Sequence, residues 1–204
     1  ASTIFVFVLF GAFLEKSKAS ESINETALAL TGGMKAGPAL SSVVASALMG
    51  TINGSAVANV VATGTFTIPL MKAKGYKGEF AGGVEAVASS GGQILPPVMG
   101  SAAFLMVTYT NISYSHIALA AIIPALLYFL GAAMGVIFNA ERNRLSALSR
   151  EERPERKGLL KDGIVYLIPV AILIYCLMIR QLSANYSALI ATAAIPVVML
   201  FDKK

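Results

Sequence analysis

Small polar residues interrupt two otherwise apolar segments, and these residues are the ones in the sequence that could do chemistry. The first cluster reads Gly50-Thr51-Ile52-Asn53-Gly54-Ser55, with Asn59 one turn later, and the second reads Ser89-Ser90-Gly91-Gly92-Gln93, followed by Pro96-Pro97. Hydroxyl, amide and carbonyl oxygens are hard ligands that suit Na⁺ and do not suit a transition metal. The pattern predicts an oxygen-lined ion site. The alternative is that small residues only allow helices to pack closely.

The composition places both clusters in a membrane. Hydrophobic residues make up 56% of the 204 residues, charged residues make up 13%, and the mean hydropathy is +0.71. The charged share is about half that of an average soluble domain, so polar groups cannot cover a water-facing surface. The net charge of +5 is small and the basic residues lie between apolar segments, which favours cytoplasmic loops over nucleic-acid binding. We predict an all-α integral membrane protein with polytopic helices.

The first polar cluster lies inside an apolar segment that is too long for one membrane crossing. Residues 38–71 as a single helix would be roughly 50 Å long, against a hydrocarbon core of about 30 Å. Basic residues flank both ends of the segment: Lys35, Lys72, Lys74 and Lys77. Because basic flanks mark the cytoplasmic side, both ends are expected on the same face. The pattern predicts a re-entrant helical hairpin over 38–71 with its tip at 51–56.

The second cluster interrupts the next apolar segment, residues 80–107. Its prolines remove backbone donors and its glycines weaken the helix. Irregular backbone at membrane depth is tolerated only where it lines a cavity or is buried in protein. We therefore predict a broken transmembrane helix over 80–107. A hairpin tip that meets a broken helix at mid-membrane is a binding-site design of secondary transporters.

The remaining segments are interpreted as membrane helices and connectors. The basic residues of the 140–162 connector favour a cytoplasmic location, which puts 108–115 outside and 72–77 inside. We expect, in chain order, a truncated transmembrane helix at 1–17, an interfacial amphipathic connector at 18–36, a transport-domain half at 37–139 that ends in a helix over 117–139, the basic connector at 140–162, and two scaffold helices at 163–204.

Two ionisable residues complete the candidates for chemistry. Glu85 lies shortly before the second polar cluster, and a carboxylate inside a membrane helix is a functional candidate because burying its charge is costly. It is a candidate coupling carboxylate, and the alternative is a structural hydrogen bond to a neighbour outside this chain. His116, the sole histidine, is interpreted as an interfacial residue, and one histidine does not make a zinc site. Ser55 lacks a hydrolase motif, so we predict no enzymatic activity.

The central segment resembles a known family. Residues 50–104 read GTINGSAVANVVATGTFTIPLMKAKGYKGEFAGGVEAVASSGGQILPPVMGSAAF, which is similar to the large membrane subunit of TRAP (tripartite ATP-independent periplasmic) transporters. The likeness is to the branch with TAXI-type binding proteins, in which the small and large membrane subunits are fused. VLFGAFLEKS at 8–17 and YLIPVAILIY at 166–175 fit the same family. We expect the chain to be a fragment covering the first half of that permease.

The resemblance implies a mechanism and a set of partners. It implies Na⁺-driven import of an organic acid delivered by a periplasmic substrate-binding protein, and an elevator movement in a fold built from inverted repeats, of which this chain would be one half. No cofactor is expected beyond Na⁺ as the coupling ion. The expected partners are the binding protein, a small membrane subunit fused upstream, and membrane lipid, and the expected location is a multi-pass position in a bacterial or archaeal inner membrane.

The resemblance also selects residues by position. Gly54, Ser55 and Asn59 match the family's hairpin tip, and residues 90–97 match its helix break. The candidate ion ligands are Gly54, Ser55, Asn59, Ser89, Ser90, Gly91 and Gly92. The candidate substrate-binding residues are Thr51, Asn53, Ser55, Gln93, Pro96 and Pro97. Two other functions stay open at this point: a channel or scaffold subunit without coupled transport, and an intramembrane serine hydrolase.

Overall fold

The computed structural model describes residues 2–16, 19–149, 151–154 and 168–201. The regular secondary structure of these residues is helical. The expected all-α class is confirmed for these residues. A π-helical turn, Tyr175–Ile179, ends the helix that begins at Ile168. The helices are α1 Ser2–Lys16, α2 Ala19–Thr31, α3 Gly37–Asn53, α4 Ala56–Ala73, α5 Gly78–Gly91, α6 Ser101–Thr110, α7 Tyr114–Arg142, α8 Ile168–Ile179 and α9 Ala184–Phe201.

Helices α3 and α4 form a hairpin whose turn is only two residues long. Gly54 ends α3 in the left-handed conformation, with φ of +58°, and its N–H donates to the Gly50 carbonyl at 3.3 Å. Ser55 is extended and caps α4, where its hydroxyl accepts from the Ala58 N–H at 3.3 Å. The tip is therefore shorter than the predicted 51–56, because residues 51–53 still belong to α3. Whether the hairpin is re-entrant in a membrane stays a prediction.

A break separates α5 from α6, although it starts later than the polar residues suggest. Ser89, Ser90 and Gly91 are still in α5, and a 3₁₀ turn over Gly92–Ile94 follows. The chain then runs through residues 95–100, and the Gly100 N–H donates to the Gln93 carbonyl at 2.7 Å. The prolines in this loop cannot donate backbone hydrogen bonds, so they favour non-helical backbone here.

Helix α7 provides a reference for the position of the break. Its 29 residues span about 43 Å, and it is the one helix among the described residues that is long and apolar enough to cross a membrane. Tyr128 stands at its midpoint and donates its hydroxyl to the Val87 carbonyl at 2.8 Å. Gly91 packs against the rings of Tyr128 and Phe129. The end of α5 therefore lies level with the middle of α7.

The other apolar helices are shorter and pack around this frame. The apolar stretches are Phe5–Leu14 in α1, Ser101–Thr110, Ile168–Ile179 and Ala184–Val197. In α1, Phe7 contacts the rings of Phe104 and Tyr114, with centroids 5.0 and 5.8 Å apart. Helix α2 buries Ile23, Ala27 and Leu28 against its neighbours, while Glu25 and other residues of the opposite face are exposed. Its position at a membrane interface stays a prediction.

The start of the 140–162 connector folds onto the open end of the hairpin. The Leu148 N–H donates to the Gly32 carbonyl at 3.2 Å, and Lys74 pairs with Glu152 at 2.5 Å. The hydrogen bond from Lys74, followed by those from Ser149, lowers the pKa of Glu152 from 4.5 to about 2. Since the folded-state pKa is the lower one, this pair supports the fold above pH 4.5 and loses its effect as the pH falls towards 2. Residues 150 and 155–162 lie outside the described residues.

The arrangement of α7 generates a test of topology. Ser113 precedes the first residue of α7, Ser149 lies beyond its last residue, and both are exposed. In the intact permease with Cys176→Ala, we expect a membrane-impermeant maleimide to label Ser113→Cys from the periplasm and Ser149→Cys only from the cytoplasm, because α7 would separate them. Labelling in right-side-out and inverted vesicles measures this. Periplasmic labelling of both positions would contradict the assigned topology.

Candidate functional site

A pocket of about 280 Å³ lies where the hairpin tip meets the helix break. Its polar lining consists of Asn53, Ser55, Gln93 and Ser101, and apolar side chains cover the rest. The apolar lining comes from α1, α4, the break and α6: Phe7, Val8, Val57, Val98, Met99 and Phe104. A few polar groups in an apolar cavity are typical of a small-molecule site.

Two helices begin at this pocket. Ser55, Ala56 and Val57 line it at the start of α4, and Ser101 lines it at the start of α6. The first N–H groups of a helix have no intrahelical partner and carry a partial positive charge, so a helix N-terminus favours an anion. The lining holds no charged side chain among the described residues. An anion in this pocket would therefore be attracted by the backbone N–H groups at the two helix N-termini.

The tip and the break touch through their backbones. A Cβ atom on Gly92 would lie 2.7 Å from the Gly50 Cα and 3.0 Å from the Asn59 amide nitrogen. A Cβ on Gly54 would collide with the Met99 carbonyl, and the positive φ of Gly54 also disfavours a side chain. These three glycines let α3 and the break approach as closely as they do. Close packing therefore accounts for the glycines, and a partly polar pocket lies beside this contact.

Two asparagines at the tip carry atoms without partners. Asn59 is fully buried; its amide group donates to the Ser46 carbonyl at 2.8 Å, while its Oδ1 has no hydrogen-bond partner among the described residues. Asn53 accepts from the Ser55 N–H at 3.2 Å through its Oδ1, and its amide nitrogen has no partner in the described part of the chain. A buried polar atom without a partner costs free energy. The free oxygen of Asn59 fits a hard cation.

Glu85 is fully buried between the hairpin arms and α5, where hydroxyl groups surround its carboxylate. Ser42 donates to Oε2 at 2.6 Å, and Ser46 and Ser89 both donate to Oε1 at 3.1 Å. Thr63 and Thr67, on α4, contact the same carboxylate. These five hydroxyls of the described residues join α3, α4 and α5, so Glu85 has structural hydrogen-bond partners within this chain.

The hydroxyl set around Glu85 was missed by the sequence analysis. The signal was present, since Ser42 and Ser46 are four residues apart, as are Thr63 and Thr67, and such spacing puts both members on one helix face. Phe7, Ser101 and Phe104 in the pocket were also missed. No local pattern marks them, because their role depends on which helices pack around the tip.

The structure divides the predicted site residues into three groups. Asn53, Gly54, Ser55 and Gln93 come together in the pocket. Asn59, Ser89 and Gly92 lie behind it, in the buried interface between the hairpin and α5. The others point elsewhere: Thr51 donates to the Leu48 carbonyl, exposed Ser90 donates to the Ala86 carbonyl, Gly91 faces Tyr128, and Pro96 and Pro97 form a cis peptide whose Pro97 carbonyl accepts from Tyr114.

Comparisons with known proteins agree with the resemblance seen in the sequence. The family model described as "Tripartite ATP-independent periplasmic transporter, DctM component" matches residues 1–204. The C4-dicarboxylate TRAP transporter large permease protein DctM of Vibrio cholerae is 32% identical over 68% of this chain. The Pseudomonas aeruginosa protein of the same name is 26% identical over 96%, and the sialic acid TRAP transporter large permease protein SiaM of Vibrio cholerae is 27% identical over 82%.

The matches cover only part of these relatives. The chain spans 30%, 45% and 39% of their respective lengths, which is less than half in each case. The family match nevertheless extends over the whole chain, and each of these relatives is a large permease protein. The chain belongs to the DctM family, the integral membrane permease component of tripartite ATP-independent periplasmic transporters.

Proposed function

We propose that this chain forms part of a permease that imports an organic anion with Na⁺. The pocket at the hairpin tip carries the proposal, because two helix N-termini and four polar side chains converge on it beside apolar walls. Its volume of about 280 Å³ is close to the lower end of small-molecule sites, about 300 Å³. C4-dicarboxylates and sialic acid, named for two relatives, are organic acids and match this chemistry.

Within this pocket we assign the substrate to Asn53, Ser55 and Gln93. Asn53 and Gln93 present amides and Ser55 a hydroxyl, all able to orient a carboxylate held at the helix N-termini. Thr51 donates to its own helix, and Pro96 and Pro97 are absent from the lining, so they have no place in the proposed contact set. Ser101, which starts α6, joins the set instead.

We place the coupling ion at the tip, among Gly54, Ser55, Asn59 and Gly92. The unpartnered Oδ1 of Asn59 supports this location, since Na⁺ prefers oxygen ligands and the residue is fully buried. The Asn59 N–H donates to the Ser55 carbonyl at 2.9 Å, so the two residues stand one helical turn apart. The other candidate ion ligands are committed elsewhere: Ser89 to Glu85, Ser90 to its own helix, and Gly91 to Tyr128.

The wider mechanism proposed is an elevator movement of this half against a scaffold. The hairpin and α5 share the Glu85 network, which would let them move as one body, and the end of α5 lies level with the midpoint of α7. A re-entrant hairpin and a broken helix at mid-membrane would suit such a carrier. The proposed partners are a periplasmic binding protein and a small membrane subunit, with fusion of the two membrane subunits as a further proposal.

The two competing functions lead to different observations. A channel or scaffold would show no Na⁺-dependent uptake in the intact complex. A serine hydrolase would be labelled by a serine-reactive phosphonate. The hydroxyl of Ser55 caps α4. The serine that forms a hydrogen bond with His116 is Ser113, whose Oγ lies 2.6 Å from the histidine Nδ1 at the exposed start of α7. The pocket geometry therefore supports transport better than hydrolysis.

The ion assignment predicts the effect of removing single oxygen ligands. In the intact transporter, we expect Ser55→Ala and Asn59→Ala each to raise the half-saturating Na⁺ concentration, by roughly 5- to 30-fold, since one such interaction contributes about 1–2 kcal/mol. Uptake of labelled substrate across a Na⁺ series measures this. Thr108→Ala is the matched control, because its exposed hydroxyl bonds only to the Phe104 carbonyl within the described residues. An unchanged Na⁺ curve in both variants would remove these residues from the ion site.

Glu85 has two proposed roles that the structure supports unequally. Hydroxyls from α3, α4 and α5 surround its carboxylate, which supports a structural role that ties the hairpin to α5. Its full burial also keeps it a candidate coupling carboxylate, because a carboxylate at membrane depth is functional by default. The two roles differ in whether transport or stability depends on its charge.

Substitutions at Glu85 should separate these roles. Glu85→Ala leaves Ser42 and Ser89 without their acceptor, so we expect a loss of roughly 2–4 kcal/mol of stability, measured as a lower unfolding temperature of the purified intact permease. Glu85→Gln keeps one oxygen acceptor and should cost less. Glu25→Ala, exposed on α2, is the control.

The outcomes assign the role of Glu85. An unchanged unfolding temperature in Glu85→Ala would contradict the structural role. A normal unfolding temperature in Glu85→Gln together with a flattened pH profile of uptake would identify Glu85 as the coupling carboxylate.

A further inference from the structure

Two further cavities lie between α5 and α7, away from the hairpin tip, and we propose that together they bind one anionic phospholipid. The upper cavity, of about 350 Å³, lies at the basic end of the molecule, where the α4–α5 loop meets the end of α7. Its polar lining includes Lys77, Arg142, Asn139 and Asn143. This proposal concerns a separate surface and does not depend on the transported substrate.

The upper cavity attracts an anion. Within the described residues, neither Lys77 nor Arg142 has an ion-pair partner, whereas nearby Lys74 is paired with Glu152. Lys77 also precedes the first residue of α5, a helix N-terminus that has no side-chain cap. Two unpaired cations beside free backbone N–H groups suit a phosphate group. Their position at the end of the membrane-length α7 suits the headgroup of a lipid.

The lower cavity is mainly apolar and adjoins the upper one, since Phe80 lines both. Its volume is about 390 Å³. Gly83 on α5 and Gly135 on α7 line the lower cavity, and a Cβ atom on either would have nothing within 4 Å. The two glycines therefore leave an open groove between the helices. Glu79 lies at this groove, so the charges along the two cavities are those of Lys77, Arg142 and Glu79, which sum to a positive value.

The order of residues along both helices matches an amphiphile. One face of α7 carries Ala132, Val136, Asn139 and Arg142, which are four, three and three residues apart. This face changes from apolar to charged towards the end of the helix. Lys77, just before α5, lines the upper cavity, and Val84 and Val87 on α5 line the lower one together with Glu79. A phospholipid places a phosphate and an acyl chain in this order. An apolar helix in the groove would leave both cations without a counter-charge, which favours the lipid.

The test measures lipid binding to the purified intact permease by native mass spectrometry. Dioleoylphosphatidylglycerol is titrated against dioleoylphosphatidylcholine, with inorganic phosphate as a soluble competitor. We expect one phosphatidylglycerol to bind preferentially, and the Lys77→Gln/Arg142→Gln variant to weaken it by roughly 10- to 30-fold, as expected for the loss of two basic contacts. The Lys35→Gln/Arg144→Gln variant is the matched control, because it removes the same charge from the same end outside the cavity.

A second variant tests the apolar groove. Gly135→Leu should fill it and weaken phosphatidylglycerol binding several-fold, while folding is retained because leucine has a higher helix propensity than glycine. Gly131→Leu is the control, since Gly131 also faces open space but does not line the groove.

Three results would overturn the proposal. Equal phosphatidylglycerol binding in the variants and the controls would show that these cavities hold no lipid. Full displacement by inorganic phosphate would indicate a site for a soluble anion. In delipidated permease, a fall in unfolding temperature for Gly135→Leu, and not for Gly131→Leu, would show that a protein segment fills the groove, because no bound lipid is then lost.

Discussion

Four helix ends meet around the hairpin tip, and the backbone groups they expose constrain everything around them. Helices α3 and α5 end there and α4 and α6 begin there, and the end of α5 lies level with the midpoint of α7. In a hydrocarbon surrounding, each unpaired backbone N–H or C=O costs several kcal/mol. Such ends persist only if they satisfy one another, bind a ligand or line a wet cavity. The contact between Gly50 and Gly92, the cap at Ser55 and the pocket beside them are consequences of that constraint.

The polar interior behind the tip follows from the same requirement. A hairpin whose arms carry serine and threonine could not pack in an apolar environment unless those hydroxyls found acceptors. Glu85 supplies two carboxylate oxygens at the point where α3, α4 and α5 converge, and Thr63 and Thr67 also have carbonyls of their own helix within reach. The network therefore stabilises the hairpin against α5 at the cost of burying an ionisable group. In the proposed carrier, this cost would be offset by the rigidity of the unit that holds the tip.

The two ends of the molecule have opposite character. At the tip, backbone dipoles and uncharged side chains form the pocket, and the described lining has no charged side chain. At the open end of the hairpin, lysines and arginines gather, and part of the connector folds back onto them through Lys74 and Gly32. This separation is expected for a membrane protein, since full charges are tolerated at the membrane surface and weak dipoles are tolerated at its centre.

The sequence by itself determined the features that depend on local chemistry. Composition, the two polar interruptions and the basic flanks were enough to predict helices, a hairpin and a break, because glycine, proline and hydrophobic length act within a few residues. Residues such as Asn53, Ser55 and Gln93 were found this way and do share the pocket. The family resemblance was likewise carried by contiguous residues, and the family comparison confirms it.

Only the tertiary structure decided which polar residues face one another. Ser90 and Gly91 follow Ser89 in the chain, yet Ser89 donates to Glu85, whereas Ser90 is exposed and donates to its own helix and Gly91 packs against Tyr128. Each step along a helix turns a side chain by about 100°, so the rotation of α5 against its partners selects one residue of the three. That rotation is determined by packing between helices distant in sequence, so it cannot be predicted from a local sequence pattern.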